Sequence, residues 1–107
     1  MADIKIVRLT SGEEIICTFT QNKNSSTFKD PAVLIPSPEG KLLLARWMPY
    51  AIHPESGIEV LNTQIVFAID PQKELAEHYT NVVVNNLVIP AKKLINPLDE
   101  SGLKLTV

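Results

Sequence analysis

The alternation of apolar and polar side chains starts at residue 4 and sets the first elements. Lys5, Val7 and Leu9 share one side of an extended segment, and Ile4, Ile6, Arg8 and Thr10 share the other. Val7 and Leu9 are the natural inward pair, with Ile6 buried where a neighbouring element covers that side. Ser11-Gly12 predicts a tight turn, because glycine accepts the positive φ that hairpins demand. The β-rich residues 15–20 then return with Ile15, Cys17 and Phe19 on one face.

Residues 21–27 are polar and read as a loop. Phe28 reopens an extended stretch in which Pro31 and Pro36 cannot donate to a ladder, which suits an edge strand or a strand with a bulge. Residues 37–41 are a turn by composition, and residues 41–50 predict a largely apolar strand covered on both faces. A loop closed by Gly57 follows. Ile58, Val60 and Leu61 begin a short strand, Asn62-Thr63 can turn, and residues 64–69 resume; one long strand bent at Asn62 is the alternative. Asp70 as N-cap and Pro71 at the first helical position predict a helix over about 71–83, with Leu75, Tyr79, Val82 and Val83 as its apolar stripe. Gln72, Lys73, Glu77 and Asn81 take its other side. Residues 84–107, broken by Pro90, Pro97 and Gly102, read as an extended tail that packs on a partner or stays mobile. The predicted fold is mainly β: a small, strongly bent, five-stranded antiparallel barrel over residues 1–83, with the short C-terminal helix covering one opening.

Composition narrows the functional classes. With 107 residues and 45% hydrophobic content, the chain suits one domain with a core. A formal net charge of −2 supplies no global positive field for nucleic acid or anionic lipid. The single Cys17 excludes a disulfide or a cysteine-based zinc site within one chain. The N-terminal residues lack the apolar block of a signal peptide, and no apolar run approaches the ~20 residues of a membrane span. The cytoplasm is the expected location, with no membrane contact.

No catalytic motif emerges, no cofactor is implied, and an enzyme is not expected. His53 and His78 have no second ligand at metal spacing and read as satisfied or solvent-facing side chains. The four glycines form no phosphate-binding loop. Glu13 and Glu14 alternate faces and read as solvated charges, and Cys17 reads as a buried, inert thiol.

The segment "VRLTSGEEIICTF" resembles the first motif of the Sm-like (LSm) proteins: an apolar-x-apolar pair, a glycine turn and a strand that curves. "VLNTQIVFAI" is similar to the second motif, and the pattern over roughly residues 4 to 80 resembles the small Sm-like proteins of marine phages. The resemblance implies an Sm-like (SH3-like) barrel that closes into a homo-oligomeric ring by pairing strand edges between copies. It also implies single-stranded RNA binding, and the host cytoplasm if the source is viral. The chain departs from the pattern at three places. The aspartate and asparagine usual in the first motif's loop have no counterpart in residues 21–27. The usual arginine-glycine falls at Leu61-Asn62, and the bend glycine falls at Cys17.

The candidate nucleic-acid contacts are the loop residues Gln21, Asn22, Lys23 and Asn24, the turn residues Asn62 and Thr63, and Arg46, Trp47 and Tyr50 as cation and stacking faces. Against this stands a plainer reading, with Trp47 and Tyr50 as core or interface packing and the asparagines as turn formers. The second functional expectation is an adaptor homo-oligomer that has lost RNA binding and docks a protein partner through its tail.

Overall fold

A computed structural model of the chain describes residues 3–85 and 103–104. Six strands form in order: β1 (Asp3–Leu9), β2 (Glu14–Gln21), β3 (Ser25–Pro36), β4 (Lys41–Arg46), β5 (Ile58–Leu61) and β6 (Ile65–Ile69). Helix α1 (Lys73–Tyr79) runs into a π-helical turn (Thr80–Val84), and a two-residue strand β7 (Leu103–Lys104) pairs with β4. The protein is mainly β, an antiparallel sheet ordered β6-β1-β2-β3-β4-β7, with β5 also alongside β3.

The sheet is open. A 3-10 turn (Asn62–Gln64) joins β5 to β6, and no ladder pairs those two strands among the described residues. The corner is tied instead by the Thr10 amide donating to Gln64 O at 2.9 Å and the Asn62 amide donating to Asn24 O at 3.0 Å. The sheet still curls. One apolar cluster draws Val7 from β1, Ile15 and Cys17 from β2, Phe28 from β3, and Ile58 and Ile65 from β5 and β6.

β3 explains the curl. One of its edges pairs with β2 from Ser26 to Val33, while the other pairs first with β5, from Ser25 to Phe28, and then with β4, from Ala32 to Pro36. Between the two partners the β2–β3 register shifts, so that Asp30 and Pro31 both stand opposite Cys17. This is a β-bulge, and Asp30 takes a left-handed φ of 51° within it. The missing N–H of Pro31 falls in the gap where neither β5 nor β4 needs it. Proline is therefore tolerated in a central strand, and the bulge bends β2–β3 beside Cys17.

Several expectations are corrected. β4 stops at Arg46, because residues 47–50 turn away with Met48 at φ 48° and the Ala51 amide donating to Met48 O. In β4 Leu44 is fully buried and the other five residues are half-buried, so both faces are covered in part. Asp70 is not the helix cap: Gln72 holds that position, and Asp70 pairs with Lys5 Nζ at 2.6 Å. The helix does not close an opening. Its Leu75, Tyr79 and Val83 lie on the sheet's second face, over Ile16, Ala32 and Leu44. Of the predicted tail, residues 86–102 and 105–107 lie outside the described residues.

Candidate nucleic-acid interface

The β2–β3 turn and the β5–β6 turn meet at one corner of the sheet, because β3 and β5 pair from Ser25 opposite Leu61 onward. Asn62 is the clasp. Its Oδ1 accepts from Ser26 Oγ at 2.6 Å, and its Nδ2 donates to Asn22 O at 3.0 Å and Lys23 O at 3.2 Å. Ser26 is fully buried, so this bond satisfies a hydroxyl that would otherwise be costly to enclose. Asn62 thus spends its side chain on holding the two turns together. Gln21, Asn22, Lys23, Asn24 and Thr63 remain exposed around it. Beside them a cleft of 290 Å³ is lined by Phe19, Gln21, Asn62, Ile65, Phe67 and Ala68.

Six candidates chosen from separate stretches of sequence therefore gather at one corner. Lys23 is the only cation among them. Phe67, half-buried in the cleft wall, was not selected from sequence. Its place in a β-rich run gave no sign that it borders the turn residues, since that depends on the β5–β6 corner.

Arg46, Trp47 and Tyr50 are not brought to this corner. Arg46 pairs with Ala32, well along β3 from Ser25 and Ser26. Trp47 is 8% exposed, with its ring centroid 6.0 Å from that of Phe28, which lies 5.7 Å from Phe19. Its Nε1 donates to Glu13 Oε2 at 3.3 Å. This side chain is core packing and offers no free face for a base. Tyr50 is 85% exposed and stands with Ile52, 97% exposed, on the β4–β5 loop. His53 Nε2 bonds Met48 O at 3.0 Å and so ties down that loop's positive-φ turn.

Reactive chemistry is subdued. Burial pushes the Cys17 thiol up to about 12, so it is not a thiolate near neutral pH. Burial also raises the Tyr79 phenol well above its ordinary value, against a smaller opposing effect of its hydrogen bond with Thr18. Among the described residues no group of three or more His, Cys, Asp or Glu side chains could hold a metal, and no helix is long and apolar enough to cross a membrane. No protein-family profile matches this chain, and no curated protein matches it.

Proposed function

We propose that this protein is an Sm-like module that assembles into a homo-oligomeric ring and binds single-stranded RNA at the corner formed by residues 21–24 and 62–63. The carrying observation is the clasp at Asn62, which joins two turns that the sequence pattern marks as contact loops. Gln21, Asn22, Lys23, Asn24 and Thr63 are the proposed contacts, Asn62 positions them, and half-exposed Phe67 supplies an apolar wall for a base. The outer edges of β5 and β6, with Leu61 and Val66 exposed, are the surfaces for pairing between copies. Ring symmetry would repeat the single Lys23 around the assembly and so multiply a weak local charge.

A second reading, an adaptor ring without RNA binding, is favoured by the exposed Leu61 at the position where an arginine is usual. Native mass together with fluorescence anisotropy on labelled single-stranded oligonucleotides separates the two. A discrete ring whose affinity falls steeply with salt, and falls further in Lys23→Gln, supports RNA binding. A ring with no salt-sensitive binding supports the adaptor. A monomer removes both readings.

A further inference from the structure

The β4–β5 loop is anchored at both ends. Its first turn places Met48 at φ 48°, a left-handed backbone that residues other than glycine rarely adopt. The Ala51 amide and His53 Nε2 both bond Met48 O, at 3.1 and 3.0 Å. At the far end Gly57 lies so close to β3 that a Cβ there would stand 2.7 Å from Thr27 Cγ2 and 2.9 Å from Phe28 O. Between these anchors Tyr50 and Ile52 stand largely exposed. Ile52 borders a cleft of 610 Å³, whose apolar lining it shares with Met48, Ala51, Pro54 and Ile58. Bulky apolar side chains held out beside an apolar cleft mark a docking surface.

That surface has one sign of charge. Glu59 lines the cleft, Glu55 is exposed on the same loop, and among the described residues no lysine or arginine joins the lining. A fitting occupant brings apolar side chains next to cations. The chain itself carries such a segment: Lys92-Lys93-Leu94-Ile95 lies within residues 86–98, which hold two lysines and no acidic residue. Both flanks of that segment are tied near β4. On one flank Val83 packs in the cluster with Ala32 and Leu44, and Ala32 pairs with Arg46. On the other, β7 runs antiparallel to β4, with Leu103 opposite Leu42 and Lys104 opposite Lys41. The chain therefore enters β7 from the Arg46 end of β4, the end from which the β4–β5 loop departs. Reach is ample. The chain from Ile95 to Leu103 spans about 27 Å when extended, whereas Met48 is six residues from Leu42, at most about 20 Å.

We propose that residues 92–95 of the chain's own C-terminal segment dock on this surface. Leu94 and Ile95 cover Ile52 and the cleft, and Lys92 and Lys93 meet Glu55 and Glu59. Because the loop is already anchored, the ordering cost of docking falls mainly on the segment. Apolar burial supplies most of the force and the lysines set the orientation, so added salt weakens the contact without abolishing it. The surface is separate from the corner at Asn62, and its test does not depend on RNA binding.

The test is paramagnetic relaxation in the full-length protein with a nitroxide on Asn96→Cys; the fully buried Cys17 is shielded from the label. Strong broadening is expected at the amides of the β4–β5 loop. Ile52→Ser spares the fold, since Ile52 is 97% exposed, and should lower the docked-to-free ratio read from that broadening about tenfold. Lys92→Glu with Lys93→Glu should lower the ratio at low ionic strength and change it little in about 1 M salt, where charges are screened. A mixture of isotope-labelled protein without nitroxide and nitroxide-bearing protein without isotope should show no broadening at the loop. No broadening within one chain, or broadening unchanged by Ile52→Ser, overturns the proposal. So does broadening in the mixture, which would assign the surface to the segment of another copy.

Discussion

On the inner face of the sheet, Val7, Ile15, Cys17, Phe28 and Trp47 pack against side chains from strands far apart in sequence. On the outer face, Ile16, Ala32 and Leu44 are covered by one short helical segment through Leu75, Tyr79 and Val83. The inner cluster exists because the sheet curls, and the curl exists because β3 bulges; no part of it can leave alone. The outer cluster depends on a helix of seven residues and a π-helical turn, too short to persist by itself in water. It is held by apolar burial and by one hydroxyl. The difference teaches that this fold has a cooperative interior and a detachable cover.

The largest effects test that division. Phe28→Ala should cost about 3–5 kcal/mol, comparable with the whole stability of a small domain, and abolish a cooperative urea transition. Leu75→Ala should cost about 2–3 kcal/mol, the lower part of the range for such truncations, because a surface helix can settle into the space. Its signature is local: amide exchange should accelerate through α1 while the β1–β2–β3 amides keep their protection. Equal acceleration in both regions would show that the cover is part of the same cooperative unit.

Tyr79→Phe comes next. The phenol's single hydrogen is shared between Asp30 O at 2.8 Å and Lys29 O at 3.2 Å, and its oxygen lies 3.3 Å from Thr18 Oγ1. Phenylalanine keeps the ring and leaves the bulge carbonyls without this donor, a loss of about 1–3 kcal/mol readable as a lower urea midpoint at unchanged slope. A negligible change would mean that the helix is held by packing alone.

How far the sequence reveals this division depends on the range of the contacts involved. The inward residues Val7, Leu9, Ile15, Cys17 and Phe19 are all buried as the alternation predicts, because a strand's two faces follow from its own period. Ile6 lies half-buried under the outer cluster, the place that depended on a covering element. The turn at Asn62 was also legible, and it separates two strands. Pro31 left β3 open between an edge strand and a bulged one; the bulge is what the structure has, and the change of partner that lets a central strand carry the proline is not a local property. Asp70 was a sound cap by residue type, yet Lys5, 65 positions away, takes its carboxylate. The candidate corner was legible as two separate loops; that they touch was not. The cavity beside Arg46, where β3 exchanges β5 for β4, was invisible, being made by that change of partner.

Alkaline pH addresses the two faces separately. The Cys17 thiol, on the inner face, is held up to about 12 against 9.0 for the free group, and the Tyr79 phenol, on the outer face, is also held above its ordinary value. Both groups are neutral when protonated, so the folded state retains protons that the unfolded state releases. Stability is full below about pH 9 and falls as pH rises, by about 1.4 kcal/mol per pH unit for each group once its unfolded form ionises. Urea midpoints measured from pH 8 to 11 in reducing buffer should decline from the thiol first and then steepen from the phenol. Cys17→Ala should remove the first part of the decline and Tyr79→Phe the second. A decline unaltered by either variant would place the titrating groups elsewhere.

The smallest effect is expected from the contact that looks strongest by distance. Lys5 Nζ and Asp70 Oδ1 are 2.6 Å apart and join β1 to the residues leading into α1, and the hydrogen bond to Asp70 is the main cause of the raised Lys5 pKa. The Asp70 side chain is 81% exposed against 26% for Lys5, so water competes for the carboxylate and the net contribution of such a pair is small. Asp70→Asn should shift the melting temperature barely beyond measurement, and the shift should vanish in about 1 M salt, where screening reaches contact distances. The pair fixes where the chain enters the helix without supplying the force that holds it. If Asp70→Asn instead accelerated exchange through α1 as much as Leu75→Ala, the cover would be fastened by charge at its entry, and the contrast between a cooperative interior and an apolar, detachable cover would have to be redrawn.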